Sequence, residues 1–111
     1  MSKYNNKKTI MDGITFDSQH EASYYRQLTL LQRAGVIKQF ELQPVYELQP
    51  GYKRGKKKIQ PITYKADFLV TYSDGRQEII DCKGMRTPTY ILKKKMFEYK
   101  YPELEIKEVP A

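Results

Sequence analysis

The sequence has no tryptophan and only one cysteine, Cys82, in its 111 residues. One cysteine excludes an intrachain disulfide framework and a cysteine-rich zinc ribbon. No apolar run approaches the roughly 20 residues that a membrane-spanning helix needs, and no secretory leader is recognisable. These absences predict a soluble, cytoplasmic protein with no membrane partner.

Acidic residues are also in short supply, because 20 Lys and Arg stand against 13 Asp and Glu, which gives a net charge of +7. That surplus favours a polyanionic partner, since phosphate contacts dominate nucleic-acid affinity. Tyrosine is abundant, with ten residues that could stack on bases or lie half-buried with the hydroxyl at the surface. The length predicts a single domain spanning 1–111, with a flexible basic N-terminus at 1–8.

Apolar periodicity and turn-forming residues predict two helices and several strands. Alternating segments are typical of strands, and recurrences three and four residues apart are typical of amphipathic helices. The predicted order is a hairpin at 9–16, a helix at 18–34, strands at 36–42 and 45–48, a basic hairpin tip at 50–58, strands at 62–72 and 77–83, a helix at 88–101 and a strand at 104–109. This order predicts an α/β or α+β domain around one mixed sheet.

Each predicted helix has an apolar seam to bury. The seam of the first helix comprises Ala22, Tyr25, Leu28 and Leu31, widened by Leu30, and that of the second comprises Leu92, Met96 and Tyr99. Glu21 lies at the N-terminal end of the first seam, and two interpretations of it stay open. It completes a capping box with Ser18, or it is a functional carboxylate that faces inward.

Basic residues cluster in the hairpin tip and along the second helix. The tip has five cations in six positions, which suits contact with a nucleic-acid backbone, although a solvated loop explains the same composition. The predicted DNA-contacting residues are Lys53, Arg54, Lys56, Lys57, Lys58, Arg86, Lys93 and Lys94.

Two carboxylates, Asp67 and Asp81, occur in strands where packing favours apolar residues. If the connecting loop is Ser73-Asp74-Gly75, with glycine in the left-handed region, Asp67 lies directly opposite Asp81. A two-residue turn at Asp74-Gly75 would instead place Asp67 opposite Cys82. Opposed like charges repel unless a cation lies between them, and hard oxygen ligands suit Mg²⁺ or Mn²⁺. The spacing therefore favours a metal site in the first register, while an ordinary salt-bridged patch remains the alternative.

Lys83 follows Asp81 by two residues and shares its face of the strand. There it could orient a water or stabilise charge on a phosphate. A divalent ion held by Asp67, Asp81 and the backbone carbonyl of Cys82 would lower the pKa of an attacking water. The Cys82 side chain points to the other face in this register, which predicts a small core residue.

Ala66-Asp67-Phe68, followed by Ile79 to Gly84, resembles the PD-(D/E)XK nuclease motif, and Phe16 to Ala22 resembles the upstream acidic motif of that superfamily. The segments DGITFDS, ITYKADF, DCKG and FEYKYP resemble a family of small phage and prophage proteins assigned to it. Ala66 stands where the motif usually has proline, and Asp81 is the aspartate variant of the D/E position.

This resemblance implies a restriction-endonuclease-like αβββαβ core and a catalytic set of four residues. Asp67 and Asp81 would be metal ligands, Lys83 the catalytic lysine and Glu21 an accessory ligand, directly or through water. Gln43 would be a further polar contact near the site.

The expected function is a Mg²⁺- or Mn²⁺-dependent endodeoxyribonuclease of phage or prophage origin in a bacterial cytoplasm. With no sequence-reading module, it suits branched DNA such as a Holliday junction, cut by a homodimer with two sites. The alternative is a non-catalytic nucleic-acid-binding or assembly module on the same scaffold, because fold alone does not settle function.

Overall fold

A computed structural model describes residues 8–83 and 85–110. Within these residues the chain forms two helices and ten strands. In chain order the elements are β1 (Thr9–Met11), β2 (Ile14–Phe16), α1 (Gln19–Arg33), β3 (Ile37–Leu42), β4 (Val45–Gln49), β5 (Tyr52–Arg54), β6 (Lys57–Ile59), β7 (Ile62–Lys65), β8 (Phe68–Tyr72), β9 (Gln77–Lys83), α2 (Pro88–Lys100) and β10 (Ile106–Pro110). The predicted flexible N-terminus lies outside the described residues except for Lys8, and Gly84 also lies outside them.

The central sheet has four strands in the order β10-β9-β8-β3. β9 pairs with β8 in antiparallel orientation and with β10 in parallel orientation, so the sheet is mixed. A parallel pair needs a crossover connection, which α2 supplies between β9 and β10. The elements of the central sheet and its helices have the order αβββαβ (α1, β3, β8, β9, α2, β10), with β4 to β7 inserted between β3 and β8. The predicted α+β class is confirmed.

A helix covers each face of this sheet, because neighbouring residues of a strand point to opposite faces. Ile80 packs with Phe68 and with Leu28 of α1 in one buried cluster. Ile79, one residue earlier, packs with Phe97 of α2 in a second cluster. The sheet therefore separates two apolar cores.

Two hairpin predictions are confirmed by the backbone. Asp12 and Gly13 both have positive φ, 53° and 76°, as a two-residue type I′ turn requires. The loop between β8 and β9 is Ser73-Asp74-Gly75, closed by a 2.8 Å hydrogen bond from the Tyr72 N–H to the Arg76 carbonyl. Gly75 has φ of +91°, which glycine adopts without steric cost.

The predicted seam of α2 is wrong for Leu92 and Tyr99, whereas Met96 packs against the second core cluster as predicted. Leu92 is 59% exposed and Tyr99 is 91% exposed, whereas Tyr90 and Phe97 are buried. At about 100° per residue, Leu92 and Tyr99 lie on the side of the helix opposite Tyr90. Two aromatic residues seven positions apart thus define the face that packs against the sheet.

The seam of α1 is partly wrong for the same geometric reason. Ala22 and Leu28 are buried as predicted, but Leu30 is 57% exposed and Leu31 is 39% exposed. Leu30 lies about 180° around the helix from Glu21, whose side chain is buried.

The single strand predicted at 62–72 is wrong, because it breaks into β7 and β8 at Ala66-Asp67. The break matches one in the opposing pair of strands, where Gln43 has φ of +49° before Pro44. The Gln43 N–H donates to the Asp67 carbonyl over 2.9 Å, and the Ala66 N–H donates to the Pro44 carbonyl over 3.1 Å. Both strands therefore bend together, and β4 and β7 form a two-stranded sheet of their own.

Three boundaries differ from the predictions in a smaller way. The predicted hairpin tip at 50–58 is a regular hairpin of β5 and β6. The last strand begins at Ile106 and not at 104, because 102–103 form a turn. Among the described residues, neither helix is long and apolar enough to cross a membrane.

Candidate active site

The bend in the long hairpin determines where the Asp67 carboxylate lies. The register predicted for β8 and β9 is confirmed as far as Phe68, which pairs with Ile80. One residue earlier, the prediction that Asp67 lies directly opposite Asp81 is wrong. The Asp67 N–H donates to the Ile80 carbonyl over 3.1 Å, so Asp67 and Phe68 both lie opposite Ile80, as in a β-bulge. The Asp67 side chain then accepts a 2.7 Å hydrogen bond from the Cys82 N–H. Its contacts with residues 80 and 82 place it beside Asp81.

Asp81 is 3% exposed and is held by two neighbours. The Tyr64 hydroxyl donates to Oδ2 over 2.5 Å. The Lys83 ammonium lies 3.3 Å from Oδ1. Burial, together with this hydrogen bond to a carboxylate, raises the pKa of Tyr64 far above its usual range, so the phenol remains a donor.

The Lys83 ammonium also lies 4.0 Å from the centre of the Tyr90 ring. A cation over an aromatic face is attracted by the ring quadrupole, and the attraction grows when the pair is shielded from water. Lys83 is about one quarter exposed. Its charge is therefore held between a carboxylate and an aromatic ring, with one side open to solvent.

Asp67 is the carboxylate whose protonation the fold changes most clearly. The pKa of Asp67 is raised to about 7, mainly by burial and also by the charges of Glu21 and Asp81. The Cys82 N–H and the Lys83 ammonium act in the opposite direction. A carboxyl group in this position is partly protonated near neutral pH unless a cation joins it.

Glu21 faces inward, which supports the second of the two sequence interpretations. Its backbone N–H donates to the Ser18 hydroxyl over 3.1 Å, so half of the predicted capping box forms. Its side chain, however, is 3% exposed, and Oε1 has no hydrogen-bond partner among the described residues. Burial and the neighbouring Asp17 charge raise the pKa of Glu21, while a hydrogen bond from the Gln43 side chain lowers it. Gln43 thus lies near the carboxylates, as expected.

The carboxylates are close together, but they are not arranged as a finished ion site. In the part of the chain that the structure describes, no group of three Asp, Glu, His or Cys side chains is placed to hold a metal ion. Both oxygens of Asp81 have partners, as does Oδ2 of Asp67. Rotation of these side chains would be needed before three carboxylates could share one ion.

Cys82 contributes its backbone to the site and its side chain to the core. Its thiol packs against the cluster around Phe68 and Ile80, and burial raises the pKa of the thiol to about 12. A thiol that stays protonated is a poor metal ligand. The interpretation of Cys82 as a small core residue is therefore confirmed, and its carbonyl belongs to β9, which pairs with β10.

The predicted DNA-contacting cations fall into two groups. Those of the hairpin tip are all exposed. In the second group, Arg86 and Lys94 lie 3.4 and 3.2 Å from the same carboxylate oxygen of Glu108, so their positive charges are partly neutralised. Lys93 on α2 is half-buried.

Tyr64 and Tyr90 are not among the predicted site residues, yet they contact Asp81 and Lys83. Tyr64 is 17 residues from Asp81, and it meets this carboxylate only because β7 bends away from β8. Tyr90 belongs to α2, which comes after Gly84 in the sequence, and its ring lies against the Lys83 ammonium at the end of β9. Their apolar surroundings in the sequence indicated core tyrosines, and no local pattern distinguishes a tyrosine that also binds a charged group.

The family described as "Protein of unknown function (DUF1064)" matches residues 1–110 of the chain. The match includes every residue of the candidate active site and of the basic hairpin. No curated protein and no solved structure gives a significant match.

Proposed function

The chain belongs to this family of proteins of unknown function (DUF1064), and we propose that it is a metal-dependent endonuclease that hydrolyses the phosphodiester bonds of DNA. The observation that carries the proposal is the grouping of three carboxylates, Glu21, Asp67 and Asp81, with the ammonium of Lys83. The same residues carry the resemblance to the PD-(D/E)XK motif. The net charge of +7 and the exposed cations suit a polyanionic substrate.

The donor set fits Mg²⁺ or Mn²⁺, which prefer carboxylate and carbonyl oxygens. Asp67 and Asp81 would hold the ion, with Glu21 and the Cys82 carbonyl as further oxygen donors. Two features support this fit: Oε1 of Glu21 is buried with no hydrogen-bond partner among the residues that the structure describes, and the pKa of Asp67 is raised to about 7. A nearby cation would lower that pKa. When bound, the ion would polarise the phosphate and lower the pKa of the attacking water.

The protein's own residues supply charge and orientation. The Lys83 ammonium lies 3.3 Å from Asp81, where it would stabilise negative charge that develops on the phosphate. Tyr90 limits the positions that the Lys83 ammonium can take, and Tyr64 orients the Asp81 carboxylate. Preorganised charges of this kind typically contribute about 10²- to 10³-fold to a rate.

We further propose branched DNA, such as a four-way junction, as the substrate in phage DNA processing. The described elements form a central four-stranded sheet with its helices and three two-stranded sheets, and none of these is a separate module that selects a base sequence. Phosphate contacts position a nuclease without specifying sequence. A homodimer would present two sites for two symmetric cuts.

The test is cleavage of supercoiled plasmid and of a four-way junction in Mg²⁺ or Mn²⁺. Asp81→Asn and Lys83→Gln should each lower the cleavage rate by about 100-fold or more, because each removes a charge at the reacting phosphate. Asp74→Asn is a matched control, since Asp74 lies exposed in the loop between β8 and β9. Undiminished cleavage by both site variants would refute the proposal.

The second candidate is a nucleic-acid-binding or assembly module without catalysis. One observation favours it: both oxygens of Asp81 are engaged by Tyr64 and Lys83, and no three-ligand group is preassembled among the described residues. Salt-sensitive DNA binding with no cleavage in any divalent metal, on any of these substrates, would select this alternative.

A further inference from the structure

The β5–β6 hairpin has cations on both of its faces, and we propose that it inserts between the two phosphodiester backbones of duplex DNA. One backbone would lie along each face. The inference rests on the proposed function in taking DNA as the partner, but it concerns how the duplex is held and not whether it is cut.

The register of the hairpin determines which cations share a face. Lys53 pairs with Lys58, and Arg54 pairs with Lys57. Paired residues of an antiparallel ladder point to the same face, and successive residues point to opposite faces. Lys53 and Lys58 therefore lie on one face, while Arg54 and Lys57 lie on the other.

Both pairs bring like charges directly opposite each other, which destabilises a strand pair. All four side chains are exposed, as is Lys56 in the turn, and none of these five cations has an ion-pair partner among the described residues. An anion on each face would relieve the repulsion within each pair. The hairpin is therefore a surface whose charge is complementary to two separate anionic chains.

A hairpin that rested on one backbone would need cations on one face only. The major groove of B-DNA is about 12 Å wide and admits a two-stranded β-ribbon between its two phosphate walls. Asp67 follows Lys58 by nine positions, and nine residue steps span at most about 30 Å of extended chain. That is less than one helical turn of B-DNA, about 34 Å, so one duplex can contact both the hairpin and the carboxylates.

The test compares the two faces by equilibrium binding in EDTA, where no metal-dependent cleavage occurs. One double variant is Lys53→Gln with Lys58→Gln, and the other is Arg54→Gln with Lys57→Gln. The control, Arg33→Gln with Lys38→Gln, removes the same charge near the Tyr72 end of β8, away from Asp67. Each variant is titrated with a linear duplex and with a single strand of equal length over a series of salt concentrations.

On the duplex, each hairpin double variant should reduce the slope of log K against log salt concentration by about 1.8, because each lost phosphate contact accounts for about 0.9. The control should leave the slope unchanged. On a single strand, which has only one backbone, at most one of the two hairpin variants should reduce the slope. Thermal unfolding verifies folding, and relief of the paired like charges should leave the hairpin variants at least as stable as the wild type.

The inference is wrong if only one of the two hairpin double variants reduces the salt slope on the duplex. It is also wrong if both reduce the slope equally on the single strand. Its failure is distinguishable from failure of the proposed function. If the protein cleaves DNA but neither double variant changes duplex binding, the hairpin inference is wrong and the endonuclease proposal is supported. If both double variants weaken duplex binding but no divalent metal supports cleavage, the hairpin inference is supported and the endonuclease proposal is wrong.

Discussion

At the scale of single residues, the environment of each carboxylate differs although the three side chains have similar chemistry. Asp81 is neutralised by Lys83 and bonded by Tyr64. Asp67 has a backbone N–H donor, and Glu21 has a buried oxygen without a partner among the described residues. The unsatisfied charge is therefore concentrated on Asp67 and Glu21, where a divalent ion would be most stabilising.

The raised pKa of Asp67 predicts that the metal-free protein becomes less stable as pH rises, whereas a carboxylate with a lowered pKa has the opposite effect. The Asp67 pKa of about 7 in the folded state lies above the ordinary 3.8, so between these values the folded chain holds a proton that the unfolded chain has lost. The free energy of unfolding should then fall as pH rises from 5 to 8, with a contribution from Asp67 on the order of 2 kcal/mol. Glu21 from α1 and Asp81 from β9 increase this effect, and Lys83 reduces it.

The measurement is urea unfolding in EDTA at pH 5 and pH 8 for the wild type and for Asp67→Asn. The difference between the two profiles isolates Asp67 from the other titrating groups. At pH 8, Mn²⁺ should raise the thermal midpoint of the wild type more than that of Asp67→Asn. Identical pH profiles would contradict the raised pKa.

At the scale of elements, the bend between β7 and β8 creates the site. Without the break at Ala66-Asp67, β7 and β8 would be one continuous strand, and the Tyr64 hydroxyl would not reach Asp81. The bend forms because both strands break together, with Gln43 in the left-handed region and Pro44 unable to donate. A β-bulge near a functional site commonly redirects a side chain, here the carboxylate of Asp67.

The packing of α2 predicts a large difference between two substitutions on the same helix. Phe97→Ala should lower the free energy of unfolding by about 3–5 kcal/mol, because Phe97 is fully buried against the sheet. Leu92→Ala removes a side chain that is 59% exposed, and its effect should lie within about 0.5 kcal/mol. Chemical denaturation measures both values. Equal losses would mean that Leu92 is part of the core.

At the scale of the whole molecule, a mixed sheet between two helices supports a hairpin extension that continues from it. The central sheet and its two cores include most of the buried apolar residues, and β4 and β7 connect the sheet to the basic hairpin. β5 and β6 pair with each other, and no residue from 51 to 60 belongs to either core cluster. Folding and the proposed DNA contact are therefore assigned to different parts of the chain.

This division predicts that the hairpin can be removed without unfolding the protein. Replacing residues 50–61 with Asn-Gly joins β4 to β7 through a two-residue turn at the observed pairing of Gln49 with Ile62. The thermal midpoint, followed by circular dichroism, should change by only a few degrees, since no core side chain is lost. Affinity for duplex DNA in EDTA should fall and become less dependent on salt. Loss of the folded state would show that the hairpin is required for folding.

The elements that depend on local chemistry could be predicted from the order of the residues alone. The turns at Asp12-Gly13 and Ser73–Gly75 follow from residues that adopt positive φ, and the latter turn sets the register of β8 and β9. The position of Lys83 beside Asp81 follows from the alternation of side chains along a strand. These are short-range effects, and a few neighbouring residues are enough to specify them.

Features that depend on contacts between distant segments could not be predicted in this way, because tertiary packing determines them. It selected the aromatic face of α2 over the equally periodic Leu92 face, because Phe97 fills the space against Ile79. It turned Glu21 inward, bent the long strand at Asp67, and brought Tyr64 and Tyr90 to the charged residues. The free energy of these contacts comes from burial and from charges meeting in a shielded space, and such terms exist only once the sheet and both helices have packed.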